Sequence, residues 1–270
     1  MTILFDYWPL VYLALGACAG FFAGLLGVGG GVILVPALTL IYAAEGFPGE
    51  HLLHLALGTS MATILFTAAA SLRAHHRHGA VRWPLVRGFT PGILIGTALG
   101  TVLARHVSSQ ALAVFFALFM LFVATQLLLD VKPRPNRALP GRAGLTAVAA
   151  AIGAVSALGA IGGGAMTVPF LVWCNVTIRH AIGTSAAVGF PIAIGGTLGY
   201  VLNGLTIGGL PAWSLGFVYL PGLLFLVAAS MVTAPLGAAA AHRLPVLTLK
   251  RIFAAVLMLL CAKMLHGVFA

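Results

Sequence analysis

Three successive glycines, Gly29-Gly30-Gly31, followed by Pro36, sit inside apolar sequence, and a matching Gly162-Gly163-Gly164 with Pro169 returns in the second half. Such a run leaves backbone N–H groups unshielded. A helix restarting at the break aims its first N–H groups and the positive end of its dipole at the gap. These donors hold an anion without bringing a charge into lipid. Each copy is followed by a Gly-Thr-Ser triplet, Gly58-Thr59-Ser60 and Gly183-Thr184-Ser185, whose hydroxyls can also donate. The candidate oxyanion shell is therefore Gly29, Gly30, Gly31, Thr59 and Ser60 with Gly162, Gly163, Gly164, Thr184 and Ser185, and Pro36 and Pro169 shape the restarted helices. A single glycine run would read as close helix packing, and a lone membrane hydroxyl as bonded to a carbonyl one turn back. Two copies with the same followers favour a site. Thr63, Thr67 and Ser156 are weaker candidates of the same type.

Other chemistries lack their residues. Cys18, Cys174 and Cys261 lie far apart in apolar sequence and fit neither a metal spacing nor a disulfide framework, so they read as small buried hydrophobes. The cluster Arg73-Ala74-His75-His76-Arg77-His78 has no carboxylate or cysteine to complete a metal site, and its arginines would repel a cation. The glycines lack the Lys-Ser/Thr of a nucleotide loop, and no HExxH or dinucleotide fingerprint occurs. No nucleophile–base pair lies within the apolar runs. The chain is expected to be no enzyme and to carry no cofactor or metal. Its net charge of +10 invites nucleic acid, yet the basic residues sit in loops without an aromatic-interleaved groove, so no nucleic-acid partner is expected.

The elements that must position these residues are membrane helices. The chain has 270 residues, 61% hydrophobic and 7% charged, against about a quarter charged in soluble domains. Apolar runs cover 10–27, 29–44, 51–72, 85–104 and 110–129, then 143–160, 162–175, 180–202, 211–240 and 246–266. The first two runs of each half are short and flank the glycines. One helix over 10–44 would be about 52 Å long, far beyond the ~30 Å hydrocarbon core, so a break at the glycines is expected. Leu15-Gly16-Ala17-Cys18 resembles a lipoprotein cleavage box, but no Lys or Arg precedes it, and the first segment is expected to be a retained span.

Five segments per half with an outside N-terminus put twelve of the 14 basic residues on the cytoplasmic side, leaving only Arg105 and Lys263 outside, where Glu45 and Glu50 also lie. An odd number per half makes the two halves an inverted pair, as in many secondary transporters. The repeat also pairs His78-Gly79 with Asn203-Gly204 and Pro91-Gly92 with Pro221-Gly222. The expected fold is an all-α polytopic inner-membrane protein of two inverted repeats of about five segments. The first repeat covers 1–131, a basic proline-rich linker 132–142, and the second repeat 143–270.

No Asp, Glu, Lys or Arg sits mid-span, which argues against a carboxylate relay and for a site of neutral dipoles. That suits an anion leaving the cell. An inside-negative potential contributes ~2.3 kcal/mol per charge per 100 mV, so a dianion gains about 4.6 kcal/mol without a coupled proton. Uptake would need coupling, for which only the span-end histidines His51, His54 and His180 are available. A non-transporting accessory subunit is a third reading.

The chain resembles the sulfite exporter TauE/SafE family of membrane permeases. The resemblance rests on the two glycine breaks with Pro36 and Pro169 and on the two Gly-Thr-Ser triplets, and runs from about residue 10 to 266. It implies movement of sulfur-containing anions such as sulfite, thiosulfate or sulfonates like sulfoacetate, often outward. One departure is Ala160, which stands where the first copy has Gly27, so the half-sites are not equivalent.

Overall fold

The computed structural model describes residues 7–26, 30–129, 137–240 and 246–269. Ten α-helices are seen among them. The first five are α1 (Trp8–Leu26), α2 (Gly31–Ala44), α3 (Leu52–Arg77), α4 (Trp83–His106) and α5 (Ser109–Leu129). After the linker come α6 (Arg142–Gly159), α7 (Gly164–Trp173), α8 (Ile178–Gly204), α9 (Leu220–Ala240) and α10 (Val246–Phe269). Six of the helices searched are long and apolar enough to cross a bilayer. The apolar runs of the sequence thus become helices, because in lipid every backbone group must be satisfied within its own segment.

Two expectations need correction. The second helix of each half is the shorter one: α2 has 14 residues and α7 has 10, about 21 and 15 Å long. In contrast α6, with 18 residues and about 27 Å, is long enough to cross a bilayer, whereas α1, apolar over Trp8–Gly24, stays among the shorter helices as expected. The run 211–240 is also not one span. Its helix begins at Leu220, and the preceding residues form a small hairpin in which β1 (Ser214–Leu215) pairs antiparallel with β2 (Val218–Tyr219). Gly209, Trp213 and Gly216 in this stretch have positive φ, and Pro211 removes a donor, so a helix cannot run through it.

The centre is the pair α3 and α8, packed antiparallel. Met61 lies against Gly196, while at the far end Arg179 Nη2 donates to the His78 carbonyl at 2.7 Å. Glycines let flanking helices approach closely. Gly92, Gly96 and Gly100 of α4 pack on the backbone of α6, and Gly16 and Gly20 of α1 pack on α9. Exchanging the two halves maps these neighbours onto each other: α1 with α9 corresponds to α6 with α4, α2 with α3 to α7 with α8, and α3 with α8 to itself. Outward faces of α4, α5 and α9 carry exposed Leu99, Val102, Leu118, Phe122, Leu224 and Val232, an apolar belt for lipid.

Charge is sorted between the ends. Arg77, Arg82, Arg142 and Arg179 gather where α3 ends and α4, α6 and α8 begin, whereas Glu50 and Arg105 lie at the opposite end. Arg137 stacks over Trp173, 4.8 Å from the ring centroid, tying the end of the linker to α7. Of the cysteines, Cys174 is buried, but Cys18 is exposed on the outer face of α1 and Cys261 is half-buried. The expectation of three buried cysteines thus holds for one.

Candidate substrate site

The second glycine break is a tight turn between α6 and α7. Ala160 caps α6 in the left-handed region with φ 45°, and both Ala160 and Ile161 donate to the Ser156 carbonyl. Gly163 then opens α7 with φ 78°, where a side chain would be strained and would meet Ile192 at 2.6 Å. Its carbonyl accepts from Met166 and Thr167, at 3.3 and 2.8 Å. Among the described residues neither Gly164 N nor Ala165 N reaches a carbonyl, which leaves the donors expected of a restarted helix. Gly29 of the first break lies outside the described residues. Gly30 precedes α2 and accepts from Ile33 and Leu34.

The two breaks meet. A Cβ placed on Gly31 would overlap the Ala160 carbonyl oxygen and would also press on Ile64 of α3. A Cβ on Gly30 would meet the Ala19 carbonyl at 3.3 Å, and one on Gly189 of α8 the Gly162 carbonyl at 2.6 Å. Pro36 and Pro169 sit inside α2 and α7 rather than at their starts. Each removes one helical N–H and frees a carbonyl one turn back. Neither lines the cavity described below.

The Gly-Thr-Ser triplets divide their labour. Thr59 Oγ1 accepts from the Tyr219 N–H at 3.0 Å and from the Tyr42 hydroxyl at 3.1 Å. Thr184 Oγ1 accepts from the Arg82 N–H at 3.1 Å. Tyr219 and Arg82 are the residues just before α9 and α4, so each threonine fastens the start of a helix. The glycine makes the approach possible: Gly58 lies against the Phe217 carbonyl, and a Cβ on Gly183 would be 2.6 Å from the Ala80 carbonyl oxygen.

The serines are left over. Ser60 and Ser185 are buried, at 0% and 2% exposure, and neither hydroxyl has a hydrogen-bond partner. Other helix hydroxyls, such as Thr39, Thr63, Thr90, Thr101 and Thr146, bond a carbonyl four residues back, the usual fate in lipid. A buried hydroxyl without a partner costs about 1–3 kcal/mol. Ser60 is one turn from Ile64, which touches Gly31, and Ser185 is one turn from Gly189, which touches Gly162. Each serine is therefore one turn from a residue packed on a glycine break, but the expectation of one shared shell needs correction. With Met61 level with Gly196 and His78 with Arg179, Ser60 and Ser185 stand about 18 Å apart along the antiparallel helices.

Ser156 and Thr167 are also buried and unpartnered. Ser156 is one of the weaker candidates of the sequence, whereas Thr167 is not among them. Its signal is position, one turn after Gly163 in the restarted helix. A cavity of about 300 Å³ reaches Ser185, Gly162 and Ile64 from the end that carries His75 and exposed His78. No group of His, Cys, Asp and Glu among the described residues could hold a metal ion.

Apolar helices that span a bilayer, two glycine breaks in contact and a cavity ending on neutral donors define a multi-pass membrane protein built like a transporter. Residues 12–264 match the family described as sulfite exporter TauE/SafE. The chain belongs to that family. A probable membrane transporter protein of Haemophilus influenzae is 36% identical over 257 residues, covering 94% of this chain and 97% of its own. The probable membrane transporter protein YunE of Bacillus subtilis is 25% identical, covering 97% and 99%. A probable membrane transporter protein of Methanocaldococcus jannaschii is 25% identical over 88% and 89%. No solved structure matches the chain. Family and relatives make this protein a membrane transporter.

Proposed function

We propose that the protein is an inner-membrane permease that moves a sulfur-containing anion, such as sulfite, thiosulfate or a sulfonate like sulfoacetate, out of the cell by alternating access. The observation that carries this reading is the pair of buried, unpartnered serines, Ser60 and Ser185, at matching positions of the two halves beside the two glycine breaks. An oxyanion beside either break would satisfy the serine hydroxyl on that side, and at the second break also the free N–H groups at the start of α7, without a buried charge on the protein. Gly29–Gly31 with Ser60 and Gly162–Gly164 with Ser185 would form two half-shells that the anion meets in turn, and Thr59 and Thr184 hold the helices around them.

The two halves form an inverted repeat, an arrangement supported by the antiparallel α3 and α8 and by the main neighbour pairs, α1 with α9, α2 with α3 and their counterparts, which survive exchange of halves. The basic end faces the cytoplasm by the positive-inside rule. The cavity at Ser185 then opens inward, while Phe217 and Tyr219 cover Gly58 and Thr59 on the other side. Rocking one half against the other would exchange these two closures.

Sulfite flux from vesicles of defined orientation tests the reading. An inside-negative potential should accelerate sulfite exit through wild-type protein. Flux indifferent to the potential, or no sulfur-anion flux at all, would defeat it.

A further inference from the structure

A second cavity, about 700 Å³, lies at the other end of α3, among the ends of α2, α4, α5 and α10. It is separate from the glycine breaks and falls within the size range of small-molecule sites. Its wall carries Arg105, His51, His54 and His106 against a single carboxylate, Glu50. Arg105 and Glu50 offset one another, so the histidines set the sign of the charge. α2 and α10 add no titratable group to the wall, only residues such as Thr39 and Met264.

Two of the histidines are incompletely satisfied. His51 Nδ1 is shielded from solvent and has no hydrogen-bond partner. His54, 4% exposed, donates from Nε2 to the Ala104 carbonyl at 2.9 Å. Its Nδ1 lies 3.4 Å from Ser109 Oγ, whose own hydrogen goes to the Glu50 carbonyl at 2.6 Å. Two lone pairs face each other there unless Nδ1 is protonated as well. The contacts therefore suit an imidazolium. A bound anion supplies the missing countercharge.

We propose that this cavity is a binding site for a small oxyanion, held by Arg105, His106 and His51, and that binding is accompanied by uptake of a proton on His54. The chemistry accepts either a free sulfur or phosphorus oxyanion or the phosphate of an anionic lipid head group. The site is distinct from the Ser60 and Ser185 half-shells and stands whether or not they carry the transported anion.

The test is a titration of sulfate into purified, delipidated protein, followed by thermal shift at pH 6 and pH 8. It uses a Ser60→Ala/Ser185→Ala background so that the other site does not contribute. Uptake of one proton across this range predicts affinity about a hundredfold higher at pH 6 than at pH 8, and its loss in Arg105→Gln/His51→Gln. Arg105→Gln alone, at an exposed position, keeps the test valid if the double variant fails to fold. Short-chain phosphatidylglycerol forms the second arm. The same pH-dependent, Arg105-dependent shift with the lipid but not with sulfate assigns the oxyanion to a head group. No shift with either probe, equal affinity at both pH values, or full binding in Arg105→Gln would overturn the proposal.

Discussion

Gly183→Ala probes the strap that holds the start of α4 against α8. The added Cβ would lie 2.6 Å from the Ala80 carbonyl oxygen, where ordinary contact begins at 3.4 Å, so the strap must retreat by about 0.8 Å. The same retreat stretches the Arg82 N–H bond to Thr184 Oγ1 from 3.1 Å to about 3.9 Å, beyond hydrogen-bonding distance. Overpacking of this kind costs about 1–3 kcal/mol and the lost bond about 1 kcal/mol. Thr184→Val removes only the bond and should cost about 1 kcal/mol. In the double variant the bond is already gone, so the two costs should fall short of additivity by about 1 kcal/mol. Denaturant unfolding in detergent, read for the four members of the cycle, measures this coupling. Strict additivity would refute the idea that Gly183 exists to let Thr184 reach the strap.

The matching position should be more sensitive. Thr59→Val strands two buried donors, the Tyr219 N–H and the Tyr42 hydroxyl, and should cost about 2 kcal/mol against about 1 for Thr184→Val in the same unfolding assay. Gly31→Ala forces a Cβ onto the Ala160 carbonyl and should lower the thermal midpoint and abolish flux. Gly49→Ala, where nothing lies within 4 Å of the new Cβ, should leave both unchanged. Cys18 on the exposed face of α1 and Cys174 in the interior should differ in labelling: a membrane-permeant maleimide should modify Cys18 in folded protein, and Cys174 only after denaturation.

The sequence made the helices legible because lipid removes the alternatives: apolar runs with basic breaks have few other structures open to them. It misread 211–219 because apolar Trp213, Leu215, Phe217, Val218 and Tyr219 masked the punctuation of Gly208-Gly209, Pro211 and Gly216. Within the Gly-Thr-Ser triplets, threonine and serine looked interchangeable. Their roles separate only when Tyr219, 160 residues from Thr59, and Arg82, 102 residues from Thr184, return to them. No local pattern carries contacts of that separation. The cavity at His51 and His54 was hidden for the same reason, since Arg105 and Ser109 reach it from other helices.

The most direct measurement is sulfite-induced thermal stabilisation of wild type, Ser60→Ala and Ser185→Ala, each also compared without ligand. Both hydroxyls are unpartnered, so without ligand each alanine variant should be as stable as wild type or slightly more so. With sulfite, at a pH near 8 where the histidine cavity contributes least, each variant should lose a clear part of the shift. Variants that are destabilised without ligand yet keep the full sulfite shift would contradict the account.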